Sequence, residues 1–300
     1  MPELPEVETI RRQLESLVIG KTISSIEVFN PGSFRAAPDS LTSRTITAIG
    51  RKGKVIIVNL KRPGLAKQGQ ALYMHLKMSG QLKLKKDGPL EERTVLSRHK
   101  HLRVKIKFSN KSELWFIDQR KFGWITDDSS VLPKGIDAMD PKLTADKLEE
   151  VLQSSNRPVK TILLDQSKIA GIGNIYASEI LWEAGISPWA KFRAKGQPAR
   201  QSLALQALAG GGLRDEGRDI VKFTKLHKAV RKVLIEAINA GGSTMGDGLY
   251  QHVGGESGDY WLRRRVYDRE GELCLRCKTP VKKGVIGQRS TYWCPNCQAV

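Results

Sequence analysis

The residues best suited to chemistry lie at the two ends of the chain. At the start, Met1-Pro2-Glu3-Leu4-Pro5-Glu6 sets a proline beside two carboxylic acids. Methionine before proline is readily removed, which would leave Pro2 with a free secondary amine. An α-amino group titrates at about pH 7.7–8, so a useful fraction is neutral near pH 7. A neutral amine can attack a sugar C1′ and form an iminium, the Schiff-base route of covalent catalysis. Glu3 and Glu6 are near enough in sequence to move protons for it. The same residues also suit an ordinary first helical turn, where carboxylates are favoured.

Near the end, the four cysteines of the chain are Cys274, Cys277, Cys294 and Cys297. The pattern C-x2-C-x16-C-x2-C has the spacing of a zinc ribbon, with each C-x2-C turn presenting two sulfurs to one tetrahedral ion. One Zn2+ is expected, and it is structural, because four thiolates leave no position open for substrate. A pair of disulfides is the alternative. It is disfavoured in a reducing compartment, and no export signal is visible: the first 20 residues carry Glu3, Glu6, Glu8, Arg11, Arg12 and Glu15.

Charge points to the partner. Lys and Arg number 50 against 31 Asp and Glu, a formal net charge of +19. Such a surplus suits a polyanion, nucleic acid first and an anionic membrane surface second. No apolar run approaches the roughly 18 residues of a spanning helix. From Tyr260 onward nine Lys or Arg face three Asp or Glu, so the ribbon reads as a phosphate-contacting element rather than a merely solvated face. The Gly171-Ile172-Gly173-Asn174 turn before a helix could let backbone approach an anion. It is not a dinucleotide fingerprint, because Tyr176 stands where a third glycine is needed and no strand is seen leading in.

The elements that must position these groups fall in two halves. Val7, Ile10, Leu14, Leu17 and Val18 have helical spacing, and Gly20 can end that helix. Strand patterns follow at Ile23–Phe29, Thr45–Gly50 and Lys54–Leu60, then run through Leu72–Leu84, Leu102–Phe108 and Leu114–Ile125. Short strands with tight turns and no intervening helices predict an antiparallel sandwich or barrel. Beyond Asp127 helical periods take over, around Leu148–Leu152, Ile162–Leu164, Ile175–Leu181 and Leu226–Ala240. Lys191–Gly217, with Gly210-Gly211-Gly212, reads as a surface insertion. The glycine-rich stretch 243–262 reads as a mobile loop. The fold class is therefore α+β and multidomain. Its expected parts are an N-terminal antiparallel β domain, sandwich or barrel, over 1–132, a linker over 133–145, a helical domain with the glycine-rich loop over 146–262, and a zinc ribbon over 263–300.

Five segments in combination carry a resemblance. They are Pro2–Thr9, His75–Gly80, Asp118–Gly123, Gly173–Glu179 and the four-cysteine ribbon. Together they resemble the formamidopyrimidine-DNA glycosylase family, over residues 2 to 298 apart from the insertion. Leu4 fits this family better than its sister, the endonuclease VIII type. The resemblance implies an N-terminal β-sandwich with a leading helix and a helix–two-turn–helix arrangement in the helical domain. It also implies a monomeric bacterial, cytoplasmic and nucleoid-associated repair enzyme that acts on oxidised purines (8-oxoguanine and formamidopyrimidines) in double-stranded DNA, with β,δ-lyase activity and no membrane partner. In this sequence Pro2 matches the nucleophile, Glu3 the acid/base and Glu6 a supporting carboxylate. Lys54 and Arg289 complete the expected catalytic set as grips on phosphate. His75 and Asn174 match further phosphate contacts, and Lys168 and Tyr267 further DNA contacts. Met78, Arg120 and Phe122 match the residues that fill the gap left by an extruded base, and the glycine-rich loop matches the lid over that base.

The sequence departs from the family pattern in places. Gln119 and Lys121 flank Arg120 where Pro and Arg are usual, Asp268 stands where glycine is usual, and Gly246–Trp261 matches poorly. These leave the chemistry in place and put base preference in question. The rival readings are the sister specificity for oxidised pyrimidines and a non-catalytic binder of damaged DNA.

Overall fold

The computed structural model describes residues 1–62, 64, 69–85, 99–192, 216–246 and 248–299. The expected insertion, except for its ends, lies outside the described residues. The chain packs as two compact units, Met1–Pro133 with Ile235–Arg263, and Lys134–Leu234 with Arg264–Val300.

The first unit begins with helix α1 (Leu4–Val18). Pro5 falls in its first turn, where the missing N–H costs nothing. Val7, Ile10, Leu14 and Val18 form the buried face, as their spacing predicts. Burying each such side chain stabilises by about 1.5–3 kcal/mol. Gly20 then turns the chain at φ +82°, a conformation that glycine reaches without strain.

Strands β1 (Ile23–Val28), β2 (Phe34–Arg35), β3 (Thr45–Lys52), β4 (Val55–Lys61) and β5 (Gly69–His75) follow, with the short helix α2 (Pro38–Leu41) between β2 and β3. After them come β6 (Gly80–Lys85), β7 (Leu102–Phe108), β8 (Glu113–Asp118) and β9 (Trp124–Thr126). They form two sheets, ordered β1-β7-β8-β6 and β2-β9-β5-β4-β3. Leu82, Val104 and Phe116 of the first sheet share one core with Ile56, Leu72 and Met74 of the second. Of the sandwich or barrel that the alternation predicts, the chain forms the sandwich, with one exception to antiparallel pairing: β2 pairs with β9 in parallel.

Two stretches that read as unbroken strands are each divided. Leu72–Leu84 becomes β5 and β6, and Leu114–Ile125 becomes β8 and β9. In both cases the chain passes from one sheet to the other and must turn sharply. Lys77 and Lys121 take φ +52° and +59° within those turns. Apolar periodicity continues through such a crossing, because both sheets face the same core.

The glycine-rich stretch packs with this first unit rather than with the helices. Tyr250 and Val253 are buried in the sandwich core. Ser243 bridges to Asp259, and helix α7 (Tyr260–Arg263) closes the segment.

The second unit holds α3 (Ala145–Gln153), α4 (Val159–Leu164), α5 (Asn174–Ala184) and most of α6 (Glu216–Asn239). Thr144 caps α3, its Oγ1 accepting from Lys147 N at 3.2 Å. Helix α6 begins at Glu216, where the apolar period alone places it at Leu226. The stretch read as a linker contains β10 (Ile136–Asp137), which pairs in parallel with β11 (Ile169–Ala170). A short strand therefore does lead into the Gly171 turn, contrary to expectation; two residues are too few to show a period. The ribbon is a hairpin of β12 (Lys282–Ile286) and β13 (Arg289–Trp293), with Trp182, Val266, Val281 and Tyr292 packed beside the cysteines.

Candidate active site and metal centre

In the first unit the amino terminus is held by its own helix. Glu3 and Glu6 form a reciprocal capping box at the start of α1, with Glu3 N donating to Glu6 Oε2 at 2.8 Å. Pro2, Glu3 and Glu6 are all buried. The other oxygen of Glu6 accepts from Ser243 N at 2.7 Å, so one carboxylate joins the start of the chain to the base of the glycine-rich segment. The approach leaves no room for a side chain: a Cβ on Gly242, itself at φ +80°, would lie 2.9 Å from Glu6 Oε1. Tyr250 Oη donates to Gly241 O at 2.9 Å and holds the same turn from the other side.

Val55 pairs with His75 across β4 and β5, and Lys54, the residue before β4, is near enough for its charge to act on the ring. Arg51 shapes the preceding turn, bonding Gly53 O at 2.8 Å and Glu8 of α1 at 3.0 Å. Burial lowers the His75 pKa to about 3, and the charges of Lys77 and Lys54 act in the same direction. The imidazole is therefore neutral at working pH. Its Nδ1 accepts from Lys77 N at 3.0 Å, which puts the proton on Nε2. His75 thus offers one neutral N–H donor next to a lysine, a pairing that suits an anionic oxygen.

The loop after β5 carries Met78, 37% exposed, and the loop after β8 carries Phe122, 54% exposed. The Arg120 guanidinium lies over the Phe122 ring, 5.0 Å from its centroid. Both apolar side chains project into solvent from tight turns, where they are free to contact an apolar surface.

In the second unit Arg289 is exposed beside the tip of the ribbon hairpin. Gly287 and Gln288 form the turn with φ +53° and +62°, the two-residue geometry that matches strand twist. The neighbouring Ser290 O accepts from Lys160 Nζ at 2.9 Å and from Asn174 Nδ2 at 3.0 Å. Asn174 thus spends a side-chain donor on the ribbon, and its buried Oδ1 has no hydrogen-bond partner among the described residues. Lys168 is partly exposed and bonds Ser154 Oγ at 3.2 Å. Tyr267 packs edge-on against Tyr292, with ring centroids 5.1 Å apart, and so supports the ribbon. Asp268 takes φ +55°, which explains why glycine suits that position.

The four cysteine sulfurs all lie within 4.8 Å of one another. Cys277 and Cys294 sulfurs are 3.3 Å apart and those of Cys274 and Cys297 4.0 Å. A tetrahedral shell with Zn–S of about 2.3 Å needs sulfurs about 3.8 Å apart, so the donor set and its size fit zinc. Trp182 Nε1 donates to Cys274 Sγ at 3.4 Å, and Arg276 stacks on that indole at 4.2 Å.

Three positioning groups carry no role that the sequence alone assigns. Glu179 is fully buried and accepts from Arg265 N, Val266 N and Tyr267 N at 2.7, 3.0 and 2.9 Å, fastening the chain that enters the ribbon. Burial raises its pKa, against those three bonds. Lys160 is fully buried beneath the hairpin tip. Asp118 lies beneath the Arg120–Phe122 loop. A charged residue inside an otherwise apolar helical or strand pattern is the one signal available for each.

Comparison with known proteins agrees along the whole chain. Residues 1–125 match the formamidopyrimidine-DNA glycosylase N-terminal domain, 134–206 its H2TH domain, and 271–300 a zinc finger found in Fpg and IleRS. A formamidopyrimidine-DNA glycosylase of Nocardia farcinica is 34% identical, covering 99% of this chain and 98% of its own. The crystal structure of the MutM (Fpg) protein from Thermus thermophilus superposes with a TM-score of 0.78 at 31% identity, covering 99% and 98% of the two chains. A Lactococcus lactis Fpg mutant in complex with Fapy-dG-containing DNA gives 0.78 at 30% identity, covering 100% of both.

Proposed function

This chain belongs to the formamidopyrimidine-DNA glycosylase family, DNA-repair glycosylases that act on damaged DNA, and on that premise we propose that it removes oxidised purines from duplex DNA through a Schiff base on Pro2. Loss of Met1 frees the Pro2 amine. Its nitrogen attacks C1′ of an extruded 8-oxoguanine or formamidopyrimidine nucleotide. The glycosidic bond breaks, and the base leaves with a proton. Glu3 is the acid/base for the sugar, and Glu6 holds Glu3 in place. The iminium acidifies the sugar, and successive β- and δ-elimination release the 3′ and then the 5′ phosphate.

Lys54 and His75 grip phosphate from the first unit, and Arg289 from the ribbon. Asn174, Lys168 and Tyr267 contribute further DNA contacts in the second unit. A Zn2+ held by Cys274, Cys277, Cys294 and Cys297 supplies no chemistry at the sugar; a closed thiolate shell fixes the ribbon that presents Arg289. The protein acts as a monomer on double-stranded DNA in the bacterial cytoplasm, at the nucleoid. Among the described residues no helix is long and apolar enough to cross a membrane.

The observation that carries this reading is the burial of Pro2, Glu3 and Glu6 together at the start of α1, with Glu3 N bonded to Glu6. An ordinary first turn has no need to bury two carboxylates. Borohydride added during reaction with a lesion-bearing duplex tests it. The expected result is a covalent protein–DNA adduct with the processed wild-type chain and none with Pro2→Gly carrying an N-terminal extension. Equal yields from the two, or no adduct from wild type, would overturn it.

A further inference from the structure

Asp118 ends β8 and is completely buried, yet among the described residues its carboxylate bonds a hydroxyl and two backbone amides rather than a basic side chain. Its Oδ1 accepts from Ser79 Oγ at 2.5 Å and from Arg120 N at 3.2 Å. Its Oδ2 accepts from Gly123 N at 2.7 Å. Ser79 Oγ also accepts from Arg120 N at 3.0 Å, which closes the cluster. Arg103 bonds the main-chain carbonyl of the same residue at 2.7 Å, fixing the end of the strand from behind.

Two loops on different strands are therefore tied to one carboxylate. Ser79 follows Met78 directly, and the bonded amides of Arg120 and Gly123 bracket Lys121 and Phe122. Both loops are otherwise poorly suited to hold still. Each carries a lysine at positive φ, Lys77 and Lys121, which costs energy that glycine would not. Gly123 shows how close the fit is: a Cβ there would lie 2.5 Å from Phe116 Cζ and 3.1 Å from Asp118 Oδ2. Charge-assisted hydrogen bonds of this kind are about twice as strong as neutral ones, and three of them hold two short turns in a conformation their own residues disfavour.

We infer that Asp118 is a positioning residue that locks the Met78 and Arg120–Phe122 loops into one rigid wedge before DNA arrives. The inference rests on the functional reading above. Ordering a free loop costs conformational entropy at every residue it fixes. With Asp118 in place that cost is met when the protein folds, so it does not burden the step in which a base is extruded and the gap filled. Asp118 touches neither sugar nor base, and its influence is confined to that step.

The experiment compares two DNA substrates. One duplex carries 8-oxoguanine and requires extrusion; the other carries a preformed abasic site and has no base to extrude. Asp118→Asn keeps the size of the side chain but supplies one acceptor where two are used. Ser79→Ala keeps the carboxylate and cuts its link to the Met78 loop. Single-turnover cleavage of the 8-oxoguanine duplex is expected to slow by about 10- to 100-fold in D118N. In S79A it is expected to slow by about three- to tenfold. Abasic-site cleavage stays within about twofold of wild type in both, because no base has to be extruded, whereas uniform structural damage would slow both substrates together. If D118N does not fold, S79A alone decides the matter. Wild type active on both substrates, with the variants either unaffected or equally slowed on both, overturns the inference alone. Wild type that cleaves neither defeats the functional reading, and the inference with it.

Discussion

Replacing Glu6 with glutamine tests whether one carboxylate joins the chain's start to the glycine-rich segment. Both oxygens of Glu6 are acceptors, one for Glu3 N at 2.8 Å and one for Ser243 N at 2.7 Å. Glutamine has the same shape with one oxygen and one NH2. Whichever way the amide sits, one buried backbone N–H meets another donor. A hydrogen bond to a charged acceptor is worth about 1.5–3 kcal/mol, and the bond that survives is weakened by the loss of charge. The local cost is therefore about 2–4 kcal/mol. Because the chain has two compact units, global unfolding would blend their stabilities, so the suitable readout is local. Hydrogen–deuterium exchange over residues 2–10 and 240–250 should accelerate by roughly 30-fold or more, since each 1.4 kcal/mol is a factor of ten. Glu15→Gln is the control: that carboxylate is 49% exposed on the same helix and pairs only with Arg11 in the bonds described, so exchange should change by less than about threefold. Exchange in E6Q matching wild type in both segments would refute the reasoning, because an unmade bond would then cost nothing.

Three further outcomes follow from the same geometry. The His75 pKa of about 3 lies below its unfolded value near 6.5, so the folded state binds fewer protons between those limits. Its contribution is complete above about pH 6.5 and is lost as pH falls toward 3. His75→Gln should therefore lose less stability than wild type in urea titrations taken from pH 7 down to pH 4, and parallel losses would contradict the assignment. Arg289→Ala should weaken DNA binding with little sequence dependence and reduce the log–log salt slope by about 1, whereas an unchanged slope excludes a phosphate contact. The purified chain should contain one zinc per molecule by elemental analysis, and chelation should accelerate amide exchange across the ribbon and weaken DNA binding; a metal-free chain with a protected ribbon would exclude the structural role.

Much of this is legible in the sequence, for identifiable reasons. The face of α1, the alternating strands and the cysteine spacing are local patterns, and each survives intact because its period or spacing is set by one element. What the sequence hides depends on residues far apart. The divisions of Leu72–Leu84 and Leu114–Ile125 arise because the chain changes sheet while still facing one core, and hydrophobicity does not record which sheet a residue belongs to. Strands β10 and β11 exist only through each other and are too short for a period. Composition reads the glycine-rich segment as mobile, yet Tyr250 and Val253 anchor it in a core contributed by residues 100 or more positions away. For the proposed site, Pro2 and the cysteines can be chosen from their chemistry. Met78 and Phe122 need the family resemblance, because an exposed wedge and a core residue look alike in sequence.

The buried acids show a common device. Glu6, Asp118 and Glu179 are at most 2% exposed, and the bonds described for each come from backbone N–H groups or a hydroxyl. A buried ion pair would add a flexible lysine or arginine side chain and a second charge to desolvate. Backbone amides are already fixed by the elements they end, so a carboxylate facing two or three of them sets loop geometry with little freedom left. Each of these acids sits under a segment that carries a proposed functional group: the amino terminus, the Met78 and Phe122 loops, and the entry to the ribbon. Stability alone would not call for this arrangement, since hydrophobic replacements pack as well at lower desolvation cost. The arrangement follows if the requirement is loops that project large side chains into solvent and still keep their shape, because the anchoring must then come from below, through the main chain.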